Sequence, residues 1–234
     1  QTMANFHTHF TVACVASAAA SLVIYKAGMV SGTEFVLCAV TGTVGGLLPD
    51  IDLDHSLPAR VGFSLLSILV AFGLVIYWSP RLSLLSLCAL GLLVYAIMRY
   101  GVLATFSRLT VHRGMVHSLP YMAVLALGLV YVSFFGLKNG VVVSWFLGAF
   151  LWCGALIHLL LDELYSVNVF GLRLKKSFGT AFKVFERKRA RWYVGLYALL
   201  AVLVVFAPPF ALFWQTVTDP MSWRILQANL LPAF

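Results

Sequence analysis

Histidines and carboxylates fall in four short, widely separated segments of the sequence. In His158-Leu-Leu-Leu-Asp162 an imidazole and a carboxylate stand four residues apart, on one face of a helix, where both can reach a single cation. A hydrogen-bonded pair at a helix end is the plainer use of the same spacing. Leu48-Pro49-Asp50-Ile51-Asp52-Leu53-Asp54-His55 sets three carboxylates at alternate positions, directly after a proline expected to stop a helix. Like charges this close repel unless a cation or bases offset them. Asp50 and Asp52 can reach inward from the helix terminus, whereas Asp54 and His55 lie further out and read as solvated. In His112-Arg113-Gly114-Met115-Val116-His117-Ser118 the two histidines do not align on a regular helix, but a turn at Gly114 could fold both rings toward one point. Ser118 is a natural N-cap for a helix that tolerates Pro120 in its first turn. Arg113 offers a rigid fork for phosphate oxygens or an anchor for lipid headgroups, and His117 could equally act as a cap. Asn5-Phe6-His7-Thr8-His9 supplies two imidazoles, of which a helix starting there can aim one inward. His9, nearer the apolar run, is favoured over His7.

Mixed His and Asp donors suit zinc, or one zinc with a second, harder ion such as manganese. HExxH, GxSxG and Walker-type loops are absent, so metalloprotease, serine hydrolase and nucleotide hydrolase readings find no support.

The elements that must carry these residues are membrane helices. Of 234 residues, 62% are hydrophobic and 10% charged, with mean hydropathy +0.96. That leaves too little polar surface for a water-exposed globule, against a norm of about 25% charged. Runs long enough to cross about 30 Å of hydrocarbon are expected at 10–28, 34–49, 61–78, 82–98, 118–137, 140–163 and 193–213, giving an all-α polytopic bundle of about seven spans. The second is expected to pack closely through Gly42, Gly45 and Gly46 and to end at Pro49. One domain over residues 3–234 is expected, with Gln1 and Thr2 an added scar ahead of Met3. Cys14, Cys38, Cys88 and Cys153 lie in apolar stretches without CxxC spacing and read as small core residues.

Sixteen Lys and Arg against eight Asp and Glu give a net +8, which in a bilayer protein reflects topology and anionic headgroups rather than nucleic acid. With the N-terminus cytoplasmic, twelve of the sixteen fall in inside loops, leaving Lys26, Arg81, Lys138 and Arg224 outside. The same topology brings all six histidines and five of the eight acids to the cytoplasmic face, although neither type entered the count. Segment 173–191 carries eight of the positive charges, with Phe178, Phe182 and Phe185 at spacings of four and three. It reads as an interfacial amphipathic helix that gathers anionic lipid, or as a topology signal alone.

A histidine opening the first span, Leu-Pro-Asp-Ile-Asp, His-Arg-Gly-x-x-His-Ser and His-x-x-x-Asp occur in that order over most of the chain. In this the sequence resembles the bacterial inner-membrane metal-dependent hydrolase family, some of whose members are LexA-regulated. More distantly it is similar to the zinc-dependent phospholipase C and single-strand nuclease group, whose multi-zinc phosphoesterase site is built from helix-borne His and Asp. Carried over residue by residue, the resemblance implies His9, Asp50, Asp52, His112, His117, His158 and Asp162 as metal ligands. Val116 stands where a small hydroxyl residue is usual, which removes one hydrogen bond behind the ligands.

The expectation is a multi-pass enzyme of the bacterial inner membrane holding one or two divalent ions, zinc foremost, and hydrolysing a phosphoester of a lipid or lipid-linked substrate. Arg113 would hold phosphoryl oxygens, and Asp52 or an unligated histidine such as His117 would move the proton. The partner is a membrane lipid, anionic or phosphorylated, with no nucleic acid. Two rival readings are a metal or ion transporter, and a non-catalytic protein whose metal ties helix ends together.

Overall fold

A computed structural model describes residues 6–49, 57–102, 118–168, 173–174 and 182–230. α1 runs Phe6–Lys26 and turns through Gly28, at φ 73° in the left-handed region that suits glycine, into α2, Gly32–Gly45. Ser31 and Glu34 close a reciprocal capping box at the start of α2. α3 runs Leu57–Trp78, and α4, Leu84–Ala96, continues through a π-turn at Ile97–Val102. α5, Leu119–Tyr131, likewise ends in a π-turn at Val132–Gly136 and is followed by the long α6, Val141–Ser166. A two-residue antiparallel ladder follows, β1 (Val167–Asn168) on β2 (Arg173–Leu174). A 3-10 turn at Arg187–Arg189 opens α7, Ala190–Val205, and α8 (Ala211–Thr218) and α9 (Pro220–Leu230) complete the chain.

The centre of the bundle is α1, α2, α5 and α6. α2 packs on α1 and α6, α5 packs on α6 and α7, and α3 pairs with α4 beside α2. Lipid offers no hydrophobic drive between helices, so close contact relies on small residues. α1 supplies buried Ala13, Ser17 and Ser21 at four-residue intervals, and α2 answers with Gly42 and Gly46. Large apolar side chains point outward instead, as with Leu84, Leu85, Leu92 and Leu93 on α4 and Val194, Val202 and Val205 on α7, where hydrocarbon would cover them. At the end of the bundle where α5 meets α6, Ser133 and Ser144 share a buried hydrogen bond of 2.9 Å and Asn139 Nδ2 donates to Ser133 at 3.0 Å. These three polar side chains are thus satisfied by one another, as a low-dielectric solvent requires.

Among the described residues, four helical stretches are long and apolar enough to cross a membrane: His7–Lys26, Leu84–Gly101, Leu119–Gly136 and Val141–Tyr165. They coincide with the first, fourth, fifth and sixth expected spans. α3, at 22 residues, covers the third. The second expected span, 34–49, is shorter than the sequence suggests, because α2 has 14 residues and stops at Gly45, short of Pro49. Gly46 caps it, its N–H bonded to the Gly42 carbonyl at 3.1 Å. The seventh, 193–213, is not one helix. It breaks at Phe206 ahead of Pro208-Pro209, where the prolines supply no backbone donors, and resumes as α8.

α7 nevertheless traverses the bundle. Near its start, the Lys183 carbonyl accepts from Leu119 N–H at the head of α5 (3.0 Å), while beyond its end the Pro208 carbonyl accepts from Trp145 Nε1 at the head of α6 (3.3 Å). α5 and α6 are antiparallel neighbours, so these two anchors lie at opposite ends. The amphipathic helix expected over 173–191 is also corrected. Residues 175–181 lie outside the described residues, and Phe182–Phe185 are not helical: they bend about Lys183, which pairs as a bridge with Ser118. Ser118 does occupy the N-cap position of α5, in extended backbone, but its side chain makes no capping bond.

Candidate metal centre

His9 stands one turn into α1, and His158 and Asp162 stand near the C-terminal end of α6, separated by one turn. α1 packs on α6. The two imidazoles are fully buried and stacked, with ring centroids 4.0 Å apart and planes 22° from parallel. Asp162, partly exposed, faces both: its Oδ1 lies 3.3 Å from His9 Nε2 and its Oδ2 lies 3.4 Å from His158 Nε2. Among the described residues these three form a group whose ligand atoms lie within 4.8 Å of one another.

The hydrogen bonding of His158 sets what the site can do. Its Nδ1 lies 2.7 Å from the Gly46 carbonyl oxygen, which can only accept, so Nδ1 carries the proton. In the neutral ring Nε2 is then a lone pair, and it faces a carboxylate oxygen. Two acceptors in contact repel, so either an extra proton or a cation belongs between them. A ring nitrogen fixed by donation from its partner nitrogen to a backbone carbonyl is the usual arrangement of a metal-bound histidine. Ligand atoms about 2.0–2.1 Å from a tetrahedral zinc lie about 3.3 Å from one another, the separation of each ring nitrogen from its nearer Asp162 oxygen. His9 Nδ1 is buried with no hydrogen-bond partner among the described residues, so His9, unlike His158, lacks the second contact that usually fixes a metal-bound ring.

Asp50, Asp52, His112, Arg113 and His117 lie outside the described residues, as do Asp54 and His55. The residues flanking them are informative. Pro49 and Ser118 are both fully buried, and Leu48 packs with Met122 and Ala155, one turn before His158. Pro49 and Ser118, which border these segments, therefore lie at the same end of the bundle as His9, His158 and Asp162. His7, set aside in favour of His9, is exposed. Missing from the sequence reading was the Gly46 carbonyl, a backbone group with no residue type to announce it, and with it Gly154, which reads in sequence as one more small residue of an apolar run.

Apolar helices of spanning length, packed through glycine and serine and carrying an ionisable cluster at one end, define a polytopic helical membrane protein. A family model described as YdjM inner membrane protein matches residues 3–217, and the chain belongs to that family. Its place is accordingly a bacterial inner membrane. No curated protein and no solved structure matches the chain.

Proposed function

We propose that this chain is a membrane-embedded, metal-dependent hydrolase, a phosphoesterase acting on a lipid or lipid-linked phosphate at the cytoplasmic face. One observation carries the reading: two buried imidazoles and a carboxylate converge from separate helices, with the His158 lone pair turned toward Asp162. Zinc held there would supply water activated near neutral pH and a positive contact for phosphoryl oxygens. Asp50, Asp52, His112 and His117 are proposed to complete one or two metal sites with His9, His158 and Asp162. Arg113 binds the equatorial phosphate oxygens through its guanidinium, and Asp52 or an unligated histidine holds the proton that leaves the water. A site at a helix end suits an amphiphilic substrate, whose headgroup reaches the interface while its chains stay in hydrocarbon.

The transporter reading is less well supported. Transport sites lie near the bilayer midplane on broken helices. Among the described residues, the four helices of spanning length carry no Asp, Glu, Lys, Arg or His at their middle. The testing experiment is phosphate release from a panel of lipid phosphates by zinc-loaded protein, run beside zinc uptake into vesicles. Metal-dependent release is expected; uptake without release of any phosphate or headgroup would replace the hydrolase reading with transport.

The orientation is tested separately. Cysteine substituted at Lys183 should be labelled only from the cytoplasmic side and cysteine at Arg224 only from the other, an expectation supported by the charge split and by the traverse of α7 between them. Labelling of both from one side would overturn the proposed topology.

A further inference from the structure

Gly42, Gly45, Gly46 and Gly154 bring α2 and α6 into backbone contact. A Cβ on Gly154 would strike the Gly42 carbonyl oxygen and the Gly46 nitrogen, and one on Gly45 would strike the Leu151 carbonyl. Neither obstacle can rotate away. A Cβ on Gly46 would meet the Ala13 methyl of α1. These contacts lie one turn from the candidate metal site on both sides: Gly154 precedes His158 by four residues, and His9 precedes Ala13 by four. Gly46 itself is the residue whose carbonyl accepts from His158 Nδ1.

We propose that Gly46 and Gly154 are positioning residues of the site: the glycine contact of α2 on α6 presents the Gly46 carbonyl to His158 and so selects the ring tautomer whose Nε2 lone pair faces Asp162. A neutral imidazole carries its proton on either nitrogen, and the neighbouring acceptors decide which. At 2.7 Å the Gly46 carbonyl claims it for Nδ1. Displacing α2 by roughly 1 Å takes that bond beyond hydrogen-bonding distance. The proton then passes to Nε2, which faces the Asp162 carboxylate as an acceptor at 3.4 Å, and a nitrogen that carries a proton cannot bind a cation. The proposal rests on the metal-hydrolase reading only for the use of the held nitrogen; the tautomer itself needs no ion.

The test is nitrogen NMR of ¹⁵N-histidine-labelled, metal-free protein in detergent, with zinc affinity by chelator competition on the same samples. Wild type should show His158 with its proton on Nδ1, and Gly154→Ala should move it to Nε2 and weaken zinc about 10- to 100-fold, the range for losing an outer partner of a metal ligand. Gly148→Ala is the packing control, since a Cβ there would strike Val130 of α5 on the same helix α6, and it should leave tautomer and zinc affinity near wild type. Gly46→Ala should act like Gly154→Ala, and adding Ala13→Gly, which removes the obstructing methyl, should restore the wild-type tautomer. This pair keeps the test decisive if Gly154→Ala does not fold. An Nδ1 proton retained in Gly154→Ala or in Gly46→Ala, equal zinc loss in Gly148→Ala, or no rescue by Ala13→Gly would overturn the proposal. If the tautomer pattern holds but wild type binds no zinc, the positioning role stands and the metal-hydrolase reading falls.

Discussion

Asp162→Ala protein, purified without chelator, is expected to lose zinc from this site, with affinity reduced by more than about 100-fold. The carboxylate is the one charged donor among the three described residues and touches both imidazoles, at 3.3 and 3.4 Å. Losing an outer partner of a metal ligand costs about 10- to 100-fold in affinity, so losing a ligand costs more. The loss is also electrostatic. Without Asp162 the ion would sit in a low-dielectric pocket against two neutral rings and lose the carboxylate that touches them both. Asp162→Asn separates these contributions, because it keeps the shape and removes the charge; it should fall between wild type and Ala. His158→Ala should match Asp162→Ala, whereas His7→Ala, at an exposed position, should retain zinc. Elemental analysis and chelator competition read all four. Zinc content in Asp162→Ala equal to wild type would remove this cluster from the ligand set.

The cluster was legible in the sequence to the extent that helix periodicity governs it. His158 and Asp162 are four residues apart in a run too apolar to be anything but a helix, and His9 opens another such run, so each one's place near a helix end followed from hydropathy alone. That His9 would stack on His158 did not follow. It depends on α1 lying against α6, which depends in turn on a glycine contact between α2 and α6 that periodicity does not encode. Hydropathy also overstated continuity. It registers 193–213 as one apolar run, because Pro208 and Pro209 weigh little on a hydropathy scale yet remove two backbone donors from a helix. The Phe182 and Phe185 spacing failed for a different reason. Local helical amphipathicity there competes with a backbone bond from Leu119 to the Lys183 carbonyl, and in a low-dielectric setting the inter-segment bond prevails.

The second large effect concerns the reaction rather than the ion. Arg113→Ala is expected to bind zinc as wild type does and to lose at least about 100-fold in phosphoester turnover, the scale seen when one preorganised donor to a developing oxyanion is removed. The reasoning is that a guanidinium cannot ligate a cation but matches two phosphate oxygens at once, so its removal leaves the metal donors intact and deprives the transition state of its remaining positive contact. Arg113→Lys should recover only part of the loss, since an ammonium is a point charge without the paired geometry. Asp50→Ala, by contrast, should lose metal and turnover together if Asp50 is a ligand, because no activated water remains. A metal that merely ties helix ends together predicts another pattern: ligand replacements lower the melting temperature, and Arg113→Ala is silent in every assay. Transport predicts a third, with Arg113→Ala altering vesicle uptake and no lipid phosphate consumed by any variant. Zinc content, melting temperature and phosphate release on the same four proteins therefore distinguish the three. A wild-type level of phosphate release in Arg113→Ala would remove the guanidinium from the proposed mechanism and leave the metal as the sole positive contact to the phosphoryl group.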